Sequence, residues 1–160
     1  RMIHAVRVRN DGLPLPEPDE VAVLHGYDLV RSDELPGIAT RWLASGHPDS
    51  PSVAELAASD PHDAWGAESL LKQIARDLSP QSAVQRTDDE RVVIEWVTET
   101  WRATGDTWWA VQTLARLGEE FPDFDLGVFV GYSDELAGGW GRLAPDLLQE
   151  AHAELGRRLA

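Results

Sequence analysis

The sequence predicts a mainly α-helical fold, an irregular bundle of seven to eight helices with room for a short β element near the N-terminus. Three observations carry this. Apolar residues recur at helical spacing over most of the chain. Two capping-box spacings, Ser52-x-x-Glu55 and Thr87-x-x-Glu90, stand ahead of such stripes. Gly and Pro interrupt the stripes at short intervals. The 160 residues fit one ordinary domain. Residues 1–160 are therefore read as a single helical domain, strand-like at 2–9, a Pro-rich connector at 10–18 and a helical body at 19–160.

Residues 2–9 alternate, with Met2, Val6 and Val8 opposite Arg7 and Arg9. A lone strand needs a partner, and Val21–Leu24 is the best candidate. The same stretch also reads as part of a helix from Asp19 to Arg31, and the two readings compete. Asn10-Asp11-Gly12 makes a turn, and Pro14, Pro16 and Pro18 stiffen the connector. Ile38, Ala39, Trp42 and Leu43 form the next stripe, stopped by Gly46 and Pro48. A short helix follows the Ser52–Glu55 box. Asp60-Pro61 then places an N-cap before a proline, opening the stripe Ala67, Leu70, Leu71, Ile74, Ala75, Leu78.

Pro80–Arg86 is a polar connector. Behind the Thr87–Glu90 box, Val92, Val93, Trp96, Val97 and Trp101 form a buried face. Gly105 breaks that helix and Asp106 caps the next, whose stripe runs Trp108, Val111, Leu114, Ala115, Gly118. Residues 125–137 suit either a helix or a buried strand, because a short apolar run does not distinguish the two. Gly138-Gly139 is a firm break. Pro145 to Leu159 is a final amphipathic helix, with Leu148, Ala151, Leu155 and Leu159 inward and Asp146, Glu150, Glu154 and Arg157 outward.

Composition excludes several chemistries. Cysteine is absent, which removes disulfides, thiolate nucleophiles and Cys-ligated metal centres together. The net charge is −14, from 28 acidic and 14 basic residues spread along the whole chain. Phosphate-binding grooves need the opposite sign, so nucleic acid is not an expected ligand. No apolar run nears the ~18 residues that span a bilayer, and no secretory h-region follows Met2. Membrane association is not expected, and the expected location is the cytoplasm.

Four constellations have residue types that could carry chemistry. His47, Asp49, His62 and Asp63 have the residue types of a metal site. However, the helix between them separates its ends by roughly 13 Å, while donors must lie ~2 Å from one ion. Gly131-Tyr132-Ser133-Asp134-Glu135 has the Gly-x-Ser of a nucleophile elbow but lacks its second glycine, and Ser133 reads better as an N-cap. Glu95 with Glu99, and Glu150 with Glu154, form carboxylate pairs that suit a solvated helix face. His152 sits between Leu148 and Leu155, on a face expected to be buried. There is no phosphate loop or dinucleotide fingerprint, and no cofactor is expected.

Seven tryptophans are the least ordinary feature. Core packing accounts for at least four of them. Trp109, adjacent to Trp108, and Trp140, in Gly-Gly-Trp-Gly, are the candidates for a binding surface. The acids rimming it are Asp123, Asp125, Asp134 and Glu135. The expectation is a non-catalytic module that meets a basic protein partner through aromatic anchors. Toxin-neutralising immunity proteins and anionic mimics of nucleic acid share this small, acidic, helical profile. The alternative is a small helical enzyme or ligand-binding protein using carboxylates with His47, His62 or His152.

Overall fold

The computed structural model describes residues 15–46, 50–78 and 89–158, and these are helical throughout, with no strand among them. Eight α-helices follow in order: α1 (Pro18–Gly26), α2 (Leu35–Ala44), α3 (Pro51–Ala57), α4 (Ala64–Leu78), α5 (Asp89–Thr104), α6 (Thr107–Glu120), α7 (Gly127–Gly138) and α8 (Ala144–Arg158). A 3₁₀ turn, Ser32–Glu34, leads into α2. The helical reading of the chain is thus borne out. The strand-like residues 2–9 and the turn at 10–12 lie outside the described residues. Val21–Leu24, offered as their strand partner, belongs to α1. Pro18 supplies its pre-set φ at the start of that helix, and the Glu20 carboxylate accepts from the Glu17 N–H.

The chain gathers into two compact units, residues 1–89 and 90–160. In the first, Val21, Leu24, Leu35, Ala39, Trp42, Val53, Leu56, Ala67, Leu71 and Ile74 are buried together. The Trp42 indole is fully enclosed and donates from Nε1 to the Pro16 carbonyl at 2.8 Å, which removes the cost of burying its N–H. Two start signals shift. Ser50, not Ser52, is the N-cap of α3, because Pro51 takes the first helical position, where its missing N–H is harmless. The Ser50 hydroxyl donates to Asp77 instead. Likewise α4 begins at Ala64 rather than at Pro61, since the Asp63 carboxylate accepts from the Gly66 N–H at 3.0 Å.

The second unit is built around α6, which buries Trp109, Ala110, Val111, Thr113, Leu114, Ala115 and Leu117. Asp106 caps it, accepting from the Trp109 N–H at 3.0 Å, and Gly105 turns the chain with φ +69°. Both were legible in the sequence. Trp108 is not the inward residue that its stripe suggested; the register turns Trp109 inward instead. Helix α7 resolves the ambiguity of residues 125–137, and it packs closely on α6 at Gly118. A Cβ there would lie 3.1 Å from the Leu126 Cβ and 3.2 Å from the Val130 Cγ2. Helix α8 returns along α7: the Arg158 Nη1 donates to the Asp125 carbonyl at 2.7 Å, and its guanidinium stands 5.5 Å over the Phe129 ring. Helix α5 meets its neighbours through indoles, Trp96 on Trp109 and Trp101 on His152. Of the second capping box, Thr87 lies outside the described residues, while the Glu90 carboxylate accepts from the Asp125 N–H.

Candidate functional site

Helix α7 ends on Gly139 in the left-handed conformation (φ +62°), and Gly141 is left-handed as well (φ +84°). Between them Trp140 folds back so that its indole crosses Gly138. A Cβ on Gly138 would come within 2.2 Å of the Trp140 Nε1, so the position accepts only glycine without rearrangement. Trp140 is 63% exposed and Leu143, at the far side of the same loop, 72%. Two large apolar side chains therefore stand in water on one short connection.

That connection is clamped. The Arg142 guanidinium reaches Glu135 on α7, with Nη2 to Oε1 at 3.2 Å and Nε to Oε2 at 3.4 Å, and it also pairs with Glu150 on α8. The Arg142 backbone N–H donates to Glu135 too. Tyr132 completes the network by donating to the Glu150 Oε1 at 3.3 Å. The hydrogen bonds from Arg142 hold the Glu135 carboxyl below its usual range. Burial first, and then the neighbouring Glu150 carboxylate, push the Tyr132 phenol up, so it remains a donor at neutral pH. Only Arg142 offers positive charge on this loop, and two carboxylates neutralise it. Asp134 and Asp146 are exposed close by in sequence.

The six residues singled out as a binding surface do not converge. Arg142 ties the loop that carries Trp140 to Glu135, with Asp134 next to Glu135 on α7. Glu135 serves as a clamp rather than a free rim charge. Asp123 and Asp125 are exposed, but they precede α7 while Trp140 follows it, a separation of about 18 Å at 1.5 Å per residue. Trp109 is a correction: at 9% exposure it is a core residue, packed edge to face on Trp96, and Trp108 beside it is 38% exposed. The register of α6 turns Trp109 toward Trp96 and leaves Trp108 on the solvent side. Trp42, Trp96, Trp101 and Trp109 are the buried tryptophans, and Trp65, at 83% exposure on α4, joins Trp108 and Trp140 at the surface.

His47 and Asp49 lie outside the described residues, and the Asp63 carboxylate is occupied as a helix cap. No cluster of three metal-ligating side chains occurs among the described residues. Ser133 is neither an N-cap nor an elbow nucleophile, since Gly131, Tyr132 and Ser133 are all interior to α7. His152, expected on a buried face, is exposed: Leu147, Ala151 and Leu155 form the inward face of α8, and the imidazole stands edge to face on Trp101 at 4.8 Å.

One cluster escaped sequence reasoning. The His25 Nε2 lies 3.0 Å from the Ser32 Oγ, which donates to the Glu68 Oε1 at 3.2 Å. A nucleophilic serine would hand its proton to the histidine. Here the hydroxyl donates to the carboxylate, so the imidazole N–H donates to the hydroxyl and the chain of bonds ties α1, the 3₁₀ turn and α4 together. Separations of 7 and 36 residues left no local signal for it.

No protein-family model matches the sequence, and comparison with curated proteins and with solved structures returned no match. No helix among the described residues is long and apolar enough to cross a membrane.

Proposed function

We propose that the protein is an acidic binding module that docks a basic protein through the Trp140–Leu143 loop. The observation that carries this reading is a large aromatic and a leucine held in water on a loop whose shape is already fixed. Gly139, Gly141 and the Arg142 clamp set its conformation, so little ordering entropy remains to be lost on binding. Tryptophan in such a setting is the residue type most enriched among binding hot spots. Residues 90–160 carry 13 acids against six bases, a field that favours a cationic partner and speeds its encounter. The complement is a basic protein with an apolar pocket for the indole.

The test is kinetic. Partners are captured from host lysate at low and high salt, and the recovered protein is assayed against variants. Trp140→Ala and Leu143→Ala should speed dissociation with little change in association. Asp134→Asn with Asp146→Asn should slow association and flatten its salt dependence. Asp123→Asn with Asp125→Asn, at the other end of α7, should do neither. A captured protein whose binding ignores Trp140→Ala and Leu143→Ala would overturn the reading.

A further inference from the structure

An open surface cleft of about 370 Å³ lies at the ends of α5 and α8, lined by Trp101, Arg102, Gly105, His152 and Gly156, with Arg102 and His152 exposed. Its composition is unusual for this molecule. Residues 90–160 hold six arginines, and five of them pair with carboxylates: Arg91 with Glu95, Arg116 with Glu120, Arg142 with Glu135 and Glu150, Arg157 and Arg158 with Glu154. Arg102 has no carboxylate partner among the described residues, although acids outnumber bases two to one. It lines the cleft as an uncompensated cation.

The remaining walls are aromatic or absent. The Trp101 indole is buried and its N–H is already spent on the Thr107 hydroxyl at 3.0 Å, so it offers the cleft only apolar ring. The His152 ring is set against it at 76°, and its nitrogens have no hydrogen-bond partner among the described residues. Gly105 and Gly156 contribute no side chain, and a Cβ at either would meet nothing within 4 Å. The volume is that of a small ligand rather than a peptide.

We infer that this cleft binds a small aromatic monocarboxylate, its ring against Trp101 and His152 and its carboxylate on Arg102. A planar guanidinium fork matches a carboxylate in two parallel hydrogen bonds. A single cation without a carboxylate partner among the described residues balances one charge, so a monoanion is favoured over phosphates or other multiply charged ligands. The inference is independent of docking through Trp140, and the two fail separately.

The test uses benzoate on the full chain, read by NMR at the Trp101 indole N–H and the His152 ring. Benzoate should give saturable shifts at both, with a dissociation constant in the millimolar range that suits so small a ligand. Acetate, which lacks the ring, should bind at least about tenfold more weakly, and benzylamine, which reverses the charge, should not saturate. Arg102→Gln should weaken benzoate about tenfold or more. Gly156→Leu, a good helix former projecting into the opening, should abolish binding with the circular dichroism spectrum unchanged. Trp140→Ala should leave benzoate affinity as it was. If Gly156→Leu disturbs folding, Arg102→Gln and the ligand charge series decide. Failure of benzoate to saturate, or equal binding of benzylamine, or full affinity in Arg102→Gln, would overturn the site. Arg102 would then serve only to complement the C-terminal dipole of α5.

Discussion

Trp96 on α5 meets Trp109 on α6 edge to face, with ring centroids 5.9 Å apart and planes inclined at 73°. The pair spans two helices that approach each other through these rings, so each indole supports the other's burial. Replacing either with Ala should cost about 3–5 kcal/mol in denaturant unfolding. The double-mutant cycle should return a coupling of about 0.5–1.5 kcal/mol. Trp108→Ala, on the exposed neighbour, should cost about 1 kcal/mol or less. A larger loss at Trp108 than at Trp109 would reverse the assigned face of α6.

Two glycines give opposite expectations for one substitution. Ala is favoured over Gly inside a helix by about 1 kcal/mol. At Gly131 a Cβ meets nothing within 4 Å, so Gly131→Ala should raise stability by about 0.5–1 kcal/mol. At Gly118 the Cβ would press on Leu126 and Val130, and on the Leu126 carbonyl at 3.3 Å, which cannot rotate away. Gly118→Ala should therefore lower stability by about 1–2 kcal/mol, despite its better propensity. Thermal unfolding of both variants checks the pair, and stabilisation at both sites would show that α6 and α7 lie farther apart.

Helix capping isolates two aspartates from the general acidity. Asp63 and Asp106 each accept a backbone N–H at the head of a helix, so their replacement by Ala should cost about 1 kcal/mol apiece. Asp123→Ala, which removes the same charge without a cap, should stay within about 0.5 kcal/mol of the parent. Equal losses at all three would mean that charge, not capping, governs the response.

The Arg142 clamp predicts an acid limb in the stability profile. Glu135 is held below its unfolded value by its bonds from Arg142, and Glu154 likewise by Arg157 and Arg158. A depressed carboxyl contributes its stabilisation in full above the unfolded pKa and loses it as pH falls through the lower folded one. Arg142→Gln should remove the Glu135 share, leaving a shallower fall of Tm below pH ~4.5 and little change of slope near pH 7. An acid limb unchanged in Arg142→Gln would exclude the clamp as its source.

How much of this was legible beforehand follows the range of each interaction. The Asp106 cap, the Gly105 break and the burial of Trp96 and Trp101 were all readable, because a cap spans three residues and a helical stripe repeats every 3.6. The choice between Trp108 and Trp109 was not. Both positions satisfy the local period within one step, and it is Trp109 that packs on Trp96, 13 residues away on another helix. The exposure of His152 and the Arg142 clamp depend in the same way on which helix lies opposite. That Arg102 has no carboxylate partner among the described residues is a property of the assembled unit, since it depends on where the carboxylates of other elements are placed. Sequence by itself determined an acidic, cysteine-free chain of helices and most of their ends, because those follow from composition and from contacts within a turn or two. Tertiary structure alone decided which aromatic faces water, which acids are tied down and where a cleft opens, because burial is settled between helices distant in the chain.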